Sequence, residues 1–160
     1  MTRRATSLPR RRLVLDATAA GALRSTEQQD RHRAAVVLAI AAADAGTTVP
    51  TSVRIEVGWD RRSPAWSGAT RLVRHDDALD TAAADLAAAT LDPAPVRSGR
   101  APSVADRHVA VAAHRCASGG DVTVVEVLTS DAGDIHAVLD RLPPTEHPID
   151  VRGPGSRPAP

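Results

Sequence analysis

Short aliphatic runs, each followed by a helical pattern, constrain this chain more than any other feature. Leu13-Val14-Leu15 is a continuous apolar run between Arg12 and Asp16. A run without alternation suits a strand buried on both faces. Residues 122–129 are dense in Val and Thr and predict a second such strand. Thr47-Thr48-Val49, Leu72-Val73-Arg74 and Ile149-Asp150-Val151 are briefer candidates. Between them the periodicity predicts helices over residues 17–25, 30–45, 51–59, 77–90, 103–118 and 132–141. Gly46 and Gly119-Gly120 supply stop signals, and Thr51 is a candidate N-cap. In helix 77–90, Leu79, Ala82, Ala83 and Leu86 share the apolar face. Strands alternating with helices predict an α/β fold with a parallel sheet covered on both sides, an α/β/α sandwich.

The 160 residues suit one domain. We expect a loose Arg-rich arm over 1–11, one compact unit over 12–152 and a Gly/Pro-rich tail over 153–160. The core must be aliphatic and Ala-rich, because Phe and Tyr are absent and Trp59 and Trp66 are the only aromatics. Aromatic platforms for stacking single-stranded bases are correspondingly scarce. All 20 basic residues are Arg and the net charge is +1. Without lysine, Schiff-base chemistry, the P-loop and the lysine-dependent receiver and phosphatase sites are excluded. Cys116 is the only cysteine, so internal disulfides and cysteine zinc sites are excluded, and a reducing, cytoplasmic setting is expected. No apolar stretch is long enough to span a membrane. The start only faintly imitates a twin-arginine signal, since Asp16 and Arg24 interrupt its apolar run.

The chemistry-bearing residues are acids at predicted strand ends. Asp16 directly follows the first strand and Asp131 follows strand 122–129. Glu56 lies in helix 51–59, Asp106 opens helix 103–118, and Asp134 lies one turn beyond Asp131. In open parallel sheets, sites form beyond the carboxyl ends of strands where strand order reverses. Crowded carboxylates there select a hard divalent ion, Mg²⁺ or Mn²⁺. Each acid also has a plainer reading. Ser103 and Asp106 have the form of a capping box, Asp131 is a natural N-cap, and Glu56 reads as a solvated helix acid. Asp16 is the hardest to explain as surface, because unpaired burial of a charge is costly; its plainer reading is an ion pair or another N-cap.

Four segments in order resemble PIN-domain ribonucleases. They are Leu13-Val14-Leu15-Asp16-Ala17-Thr18, Val49-Pro50-Thr51-Ser52-Val53-Arg54-Ile55-Glu56, Val104-Ala105-Asp106 with its apolar helix, and Thr129-Ser130-Asp131-Ala132-Gly133-Asp134-Ile135. The likeness covers residues 12–152 and looks closest to the VapC-type toxin branch. It implies a three-layer α/β/α fold with a parallel, roughly five-stranded sheet, and metal-assisted attack of water on RNA phosphodiesters. It further implies Asp16, Asp106 and Asp131 as metal ligands, with Glu56 completing the quartet directly or through water. Asp134 would stand behind them, and Thr18 would orient Asp16. The implied cofactor is Mg²⁺ or Mn²⁺, and the implied partners are RNA, a cognate antitoxin and a second copy of the chain.

Arg107 departs from the family pattern, and is read either as a partner that weakens the Asp106 site or as a phosphate contact. Arg61 and Arg62, beside both Trp residues, are candidates for RNA or partner contact; the plainer reading is a solvated loop with Trp folded onto the core. His108 reads as a surface or core-edge histidine, Cys116 as core, and no serine has the G-x-S-x-G setting of a hydrolase. The competing reading is a catalytically inactive PIN-like module that binds protein or RNA, its acids neutralised by Arg107 or Arg54.

Overall fold

The computed structural model describes residues 10–26, 30–91, 101–154 and 156. The central sheet has five parallel strands in the order β3-β2-β1-β4-β5. They are β1 (Arg11–Leu15), β2 (Thr47–Pro50), β3 (His75–Asp77), β4 (Val124–Leu128) and β5 (Ile149–Arg152). The helices are α1 (Ala17–Ala22), α2 (Arg31–Ala42), α3 (Thr51–Val57), α4 (Ser67–Leu72), α5 (Thr81–Ala89), α6 (Val104–Ala117) and α7 (Ala132–Leu139). The result is the expected three-layer α/β/α architecture. Strands β2 and β3 extend the sheet on one side of β1, whereas β4 and β5 extend it on the other. Strand order therefore reverses between β1 and β4, at the centre of the sheet.

Strand β1 is central because Leu13, Val14 and Leu15 bury completely. Helix α6 packs against β1, β2, β4 and β5. Its Ala110, Ala112, Ala113 and Ala117 are fully buried, so small side chains bring helix and sheet close. Trp59 and Trp66 stack at 5.3 Å between ring centroids and bury in the same core. Cys116 is only half-buried against the core edge. Within β4, buried Glu126 is satisfied by Arg11 of β1 and Arg152 of β5, each at 2.8 Å.

Two boundaries differ from expectation in ways that matter to the site. The third strand lies at 75–77, not 72–74: Val73 buries, but ladder pairing begins at His75. Helix α5 starts at Thr81 behind the Asp80 cap, so Leu79 and Ala82 fall outside its buried face, which is Ala83 with Leu86 and Ala87. The chain turns at Pro64–Trp66, as Pro64 predicts, whereas α4 has no counterpart in the sequence reading. Thr51 does not cap α3; its hydroxyl accepts from the Leu79 N–H instead. Strand β1 begins one residue inside the expected arm, with Arg11 and Arg12 paired to Glu126 and Asp121. Residues 1–9, and all of the expected tail except 153, 154 and 156, lie outside the described residues.

Candidate functional site

Asp16 sits at the reversal of strand order, immediately after β1 and beside the end of β4. It is both the N-cap of α1 and 6% exposed. Its Oδ1 accepts from the Ala19 N–H at 2.7 Å and its Oδ2 from the Ser130 N–H at 3.2 Å. The Thr129 hydroxyl donates to the same carboxylate. Thr129 is buried and also accepts from the Asp131 N–H at 2.9 Å. It thereby ties the loop after β4 to the acid after β1. Burial pushes the Asp16 carboxyl above its usual range; the Ala19, Thr129 and Ser130 donors pull against this, and the neighbouring Asp106 pushes it further up. No ion pair to Asp16 is formed among the described residues, so the ion-pair reading of this residue does not hold, while the N-cap reading does.

Asp106 and Asp131 keep capping geometry. Asp106 completes a capping box: its Oδ2 accepts from the Ser103 N–H at 2.8 Å and hydroxyl at 2.7 Å. Asp131 caps α7 through the Asp134 N–H at 3.3 Å. Asp134 is buried behind it. Glu56 is exposed on α3 and lines the same hollow as Ser103. Among the described residues, no three of these side chains come close enough to hold one ion between them. Asp16 and Asp106 are the pair the structure brings into electrostatic contact.

Several expectations are corrected. Thr18 does not bond Asp16; its hydroxyl meets that of Ser130 at 2.7 Å, and orientation of the acid falls to Thr129 and two backbone N–H groups. A threonine at the end of a strand and two residues before an acid was the available signal for Thr129. Arg107 neither pairs with Asp106 nor faces solvent: it is 8% exposed and donates to both the carbonyl and the hydroxyl of Thr90. Arg61 is committed to Asp76 and the Val73 carbonyl, and covers Trp59. Arg62 is exposed and pairs locally with Asp60. Arg54 also pairs with Asp76, and so does not neutralise the acids at the switch point.

His108 overturns its expected place most clearly. It is wholly buried, with Ser52 Oγ 2.8 Å from Nδ1 and Asp77 Oδ2 3.0 Å from Nε2. The sequence offered no motif for this chain of contacts, because its members are 56 and 31 positions apart.

No family model, curated protein or solved structure matches this chain. No helix among the described residues is long and apolar enough to cross a membrane.

Proposed function

We propose that the chain is a metal-dependent endoribonuclease, hydrolysing RNA phosphodiesters at the reversal of strand order, and that it is the toxin of a toxin–antitoxin pair. The observation that carries the metal site is Asp16. It is a buried carboxylate faced by N–H and O–H donors and by the like charge of Asp106, and no arginine among the described residues pairs with it. The donor chemistry fits Mg²⁺ or Mn²⁺, since every candidate ligand is a hard oxygen. The count also fits: Mg²⁺ is commonly held by one or two carboxylates, with water and substrate phosphate filling the remaining positions. Asp16 and Asp106 would be those two. Their caps engage one oxygen of Asp106 and leave the other without a hydrogen bond from the described residues. Asp131 and Glu56 would hold or orient water.

When bound, such an ion supplies a water of lowered pKa and charge stabilisation at phosphate. The chain's own work is positional. Ala19, Thr129 and Ser130 lock the Asp16 carboxylate, and the α6 capping box holds Asp106. RNA as substrate and an antitoxin as partner rest on the four-segment resemblance to PIN-domain ribonucleases. The capping geometry of all three aspartates favours one alternative, an inactive PIN-like module that binds protein or RNA.

Cleavage of labelled RNA by the purified chain separates the two. The expected result is cutting that requires Mn²⁺, stops with EDTA and is lost in Asp16→Asn. Identical behaviour of wild type and variant, with Asp16→Asn folded, would support the binding module.

A further inference from the structure

A second set of reactive groups involves none of Asp16, Asp106 and Asp131. Ser52 of α3, His108 of α6 and Asp77 at the end of β3 form a continuous hydrogen-bonded chain through the two ring nitrogens of the histidine. A carboxylate only accepts, so in the neutral imidazole His108 Nε2 carries the hydrogen toward Asp77, and Nδ1 is left as an acceptor. The Ser52 hydroxyl then donates to Nδ1, which leaves its oxygen lone pairs as the reactive end. This is the connectivity of an activated nucleophile: a hydroxyl, an imidazole base and a carboxylate that fixes the tautomer. Which ring edge meets the hydroxyl is the reverse of the common arrangement, but the roles are unchanged.

The surroundings supply room and polarity for a substrate. Ser52 is half-buried and lines a hollow of about 400 Å³. Ile55, Leu79, Val104 and Ala105 make its apolar wall, and Glu56 borders it. Val104 and Ala105 are also the first two residues of α6, and the first N–H groups of a helix lack intrahelical acceptors. Asp106 and Arg107 N–H groups are taken by Ser103, whereas those of Val104 and Ala105 have no acceptor among the described residues. Paired N–H donors on residues that line the same hollow as a nucleophile could serve a developing oxyanion. The apolar wall suits a small acyl chain, and the Glu56 charge disfavours an anionic one.

We infer that Ser52, His108 and Asp77 form a serine esterase site for esters of small, uncharged, apolar acids. Ser52 Oγ attacks the acyl carbon while its proton passes to His108 Nδ1. The carbonyl electron pair moves onto oxygen and returns as the alkoxide departs. The alkoxide takes the proton from Nδ1 and leaves as an alcohol. Water then attacks the Ser52 ester, gives a proton to His108 and releases the carboxylic acid, and Ser52 recovers its hydroxyl proton. Asp77 is a positioning residue. No bond-making step draws on Asp16, Asp106 or Asp131, although Glu56 borders the hollow.

The test uses the full chain with p-nitrophenyl butyrate and, separately, an alkyl fluorophosphonate, with adducts located by mass spectrometry. The expected result is a burst of about one equivalent of p-nitrophenol and a phosphonyl adduct on Ser52, both indifferent to EDTA. Ser52→Ala, which keeps the fold, loses the adduct and about a thousandfold of the ester turnover. Asp77→Asn slows both reactions by about a hundredfold to ten-thousandfold, with its melting curve recorded alongside. Should that variant unfold, Ser52→Cys replaces it: its new thiol should alkylate with iodoacetamide at least about tenfold faster than Cys116. Absence of an adduct on Ser52 in the folded wild-type chain overturns the inference. So does equal labelling in folded Asp77→Asn, or equal alkylation of the two thiols in Ser52→Cys.

Discussion

Asp16 and Asp76 lie near the carboxyl edge of the same sheet, yet they are treated in opposite ways. Asp76, in edge strand β3, receives Arg54 on Oδ2 and Arg61 on both oxygens. Burial alone would raise its carboxyl, but the two guanidiniums outweigh that and hold it below the usual range. Asp16, beside central strand β1, is buried more deeply and pairs with no arginine among the described residues. Burial raises it, and Asp106 raises it further. One strand-end acid is thus neutralised as a brace, and the other is left to a like-charged neighbour, which supports the proposal that it belongs to a site. The edge acid joins β3 to α3 and the Trp loop. The central acid is held in orientation and left short of positive charge.

Removing the brace should have the largest effect on stability. Asp76→Ala strands two half-buried guanidiniums and is expected to cost about 2 kcal/mol, read as a lower urea midpoint at unchanged slope. Asp16→Asn should behave differently: at neutral pH its stability stays within about 1 kcal/mol of wild type, because a desolvated charge leaves along with one acceptor. The pH profiles should run in opposite directions. Asp16 has a raised folded pKa, so its favourable contribution is present below its unfolded value of 3.8 and is lost as pH rises through the folded one. Asp76 has a lowered folded pKa, so its contribution is present above 3.8 and is lost as pH falls through the folded one. Urea midpoints of wild type and Asp16→Asn from about pH 2 to about pH 8 check this: the wild-type excess should shrink with rising pH. The smallest effect is expected from Thr18→Val. It removes one exposed hydroxyl contact to Ser130, costs about 0.5 kcal/mol by urea titration, and leaves Asp16 in place.

The sequence makes β1 and β4 most readable, because central strands of a parallel sheet are rich in aliphatic residues, whereas β2 and β5 show only through one or two apolar residues beside Thr or Asp. It hides β3 for the complementary reason. His75-Asp76-Asp77 is an edge strand whose acids serve Arg54, Arg61 and His108, so it carries no apolar pattern. The burial of Asp16 is legible because a charge directly after Leu13-Val14-Leu15 has nowhere to escape it. Arg107 was misread for want of tertiary information. Only the fold shows that Thr90, 17 positions away, takes its guanidinium. The Ser52–His108–Asp77 chain was invisible because its members meet only when β3, α3 and α6 come together.

The central claim is that Asp16 is a carboxylate awaiting a cation. Calorimetric and thermal-melting titration with Mn²⁺ at neutral pH, on wild type and Asp16→Asn, tests it most directly. The account predicts saturable binding by wild type, with stability rising by about 2.7 kcal/mol at a hundred times the dissociation constant, and none by the variant. No binding by wild type, or equal binding by a folded Asp16→Asn, would contradict it.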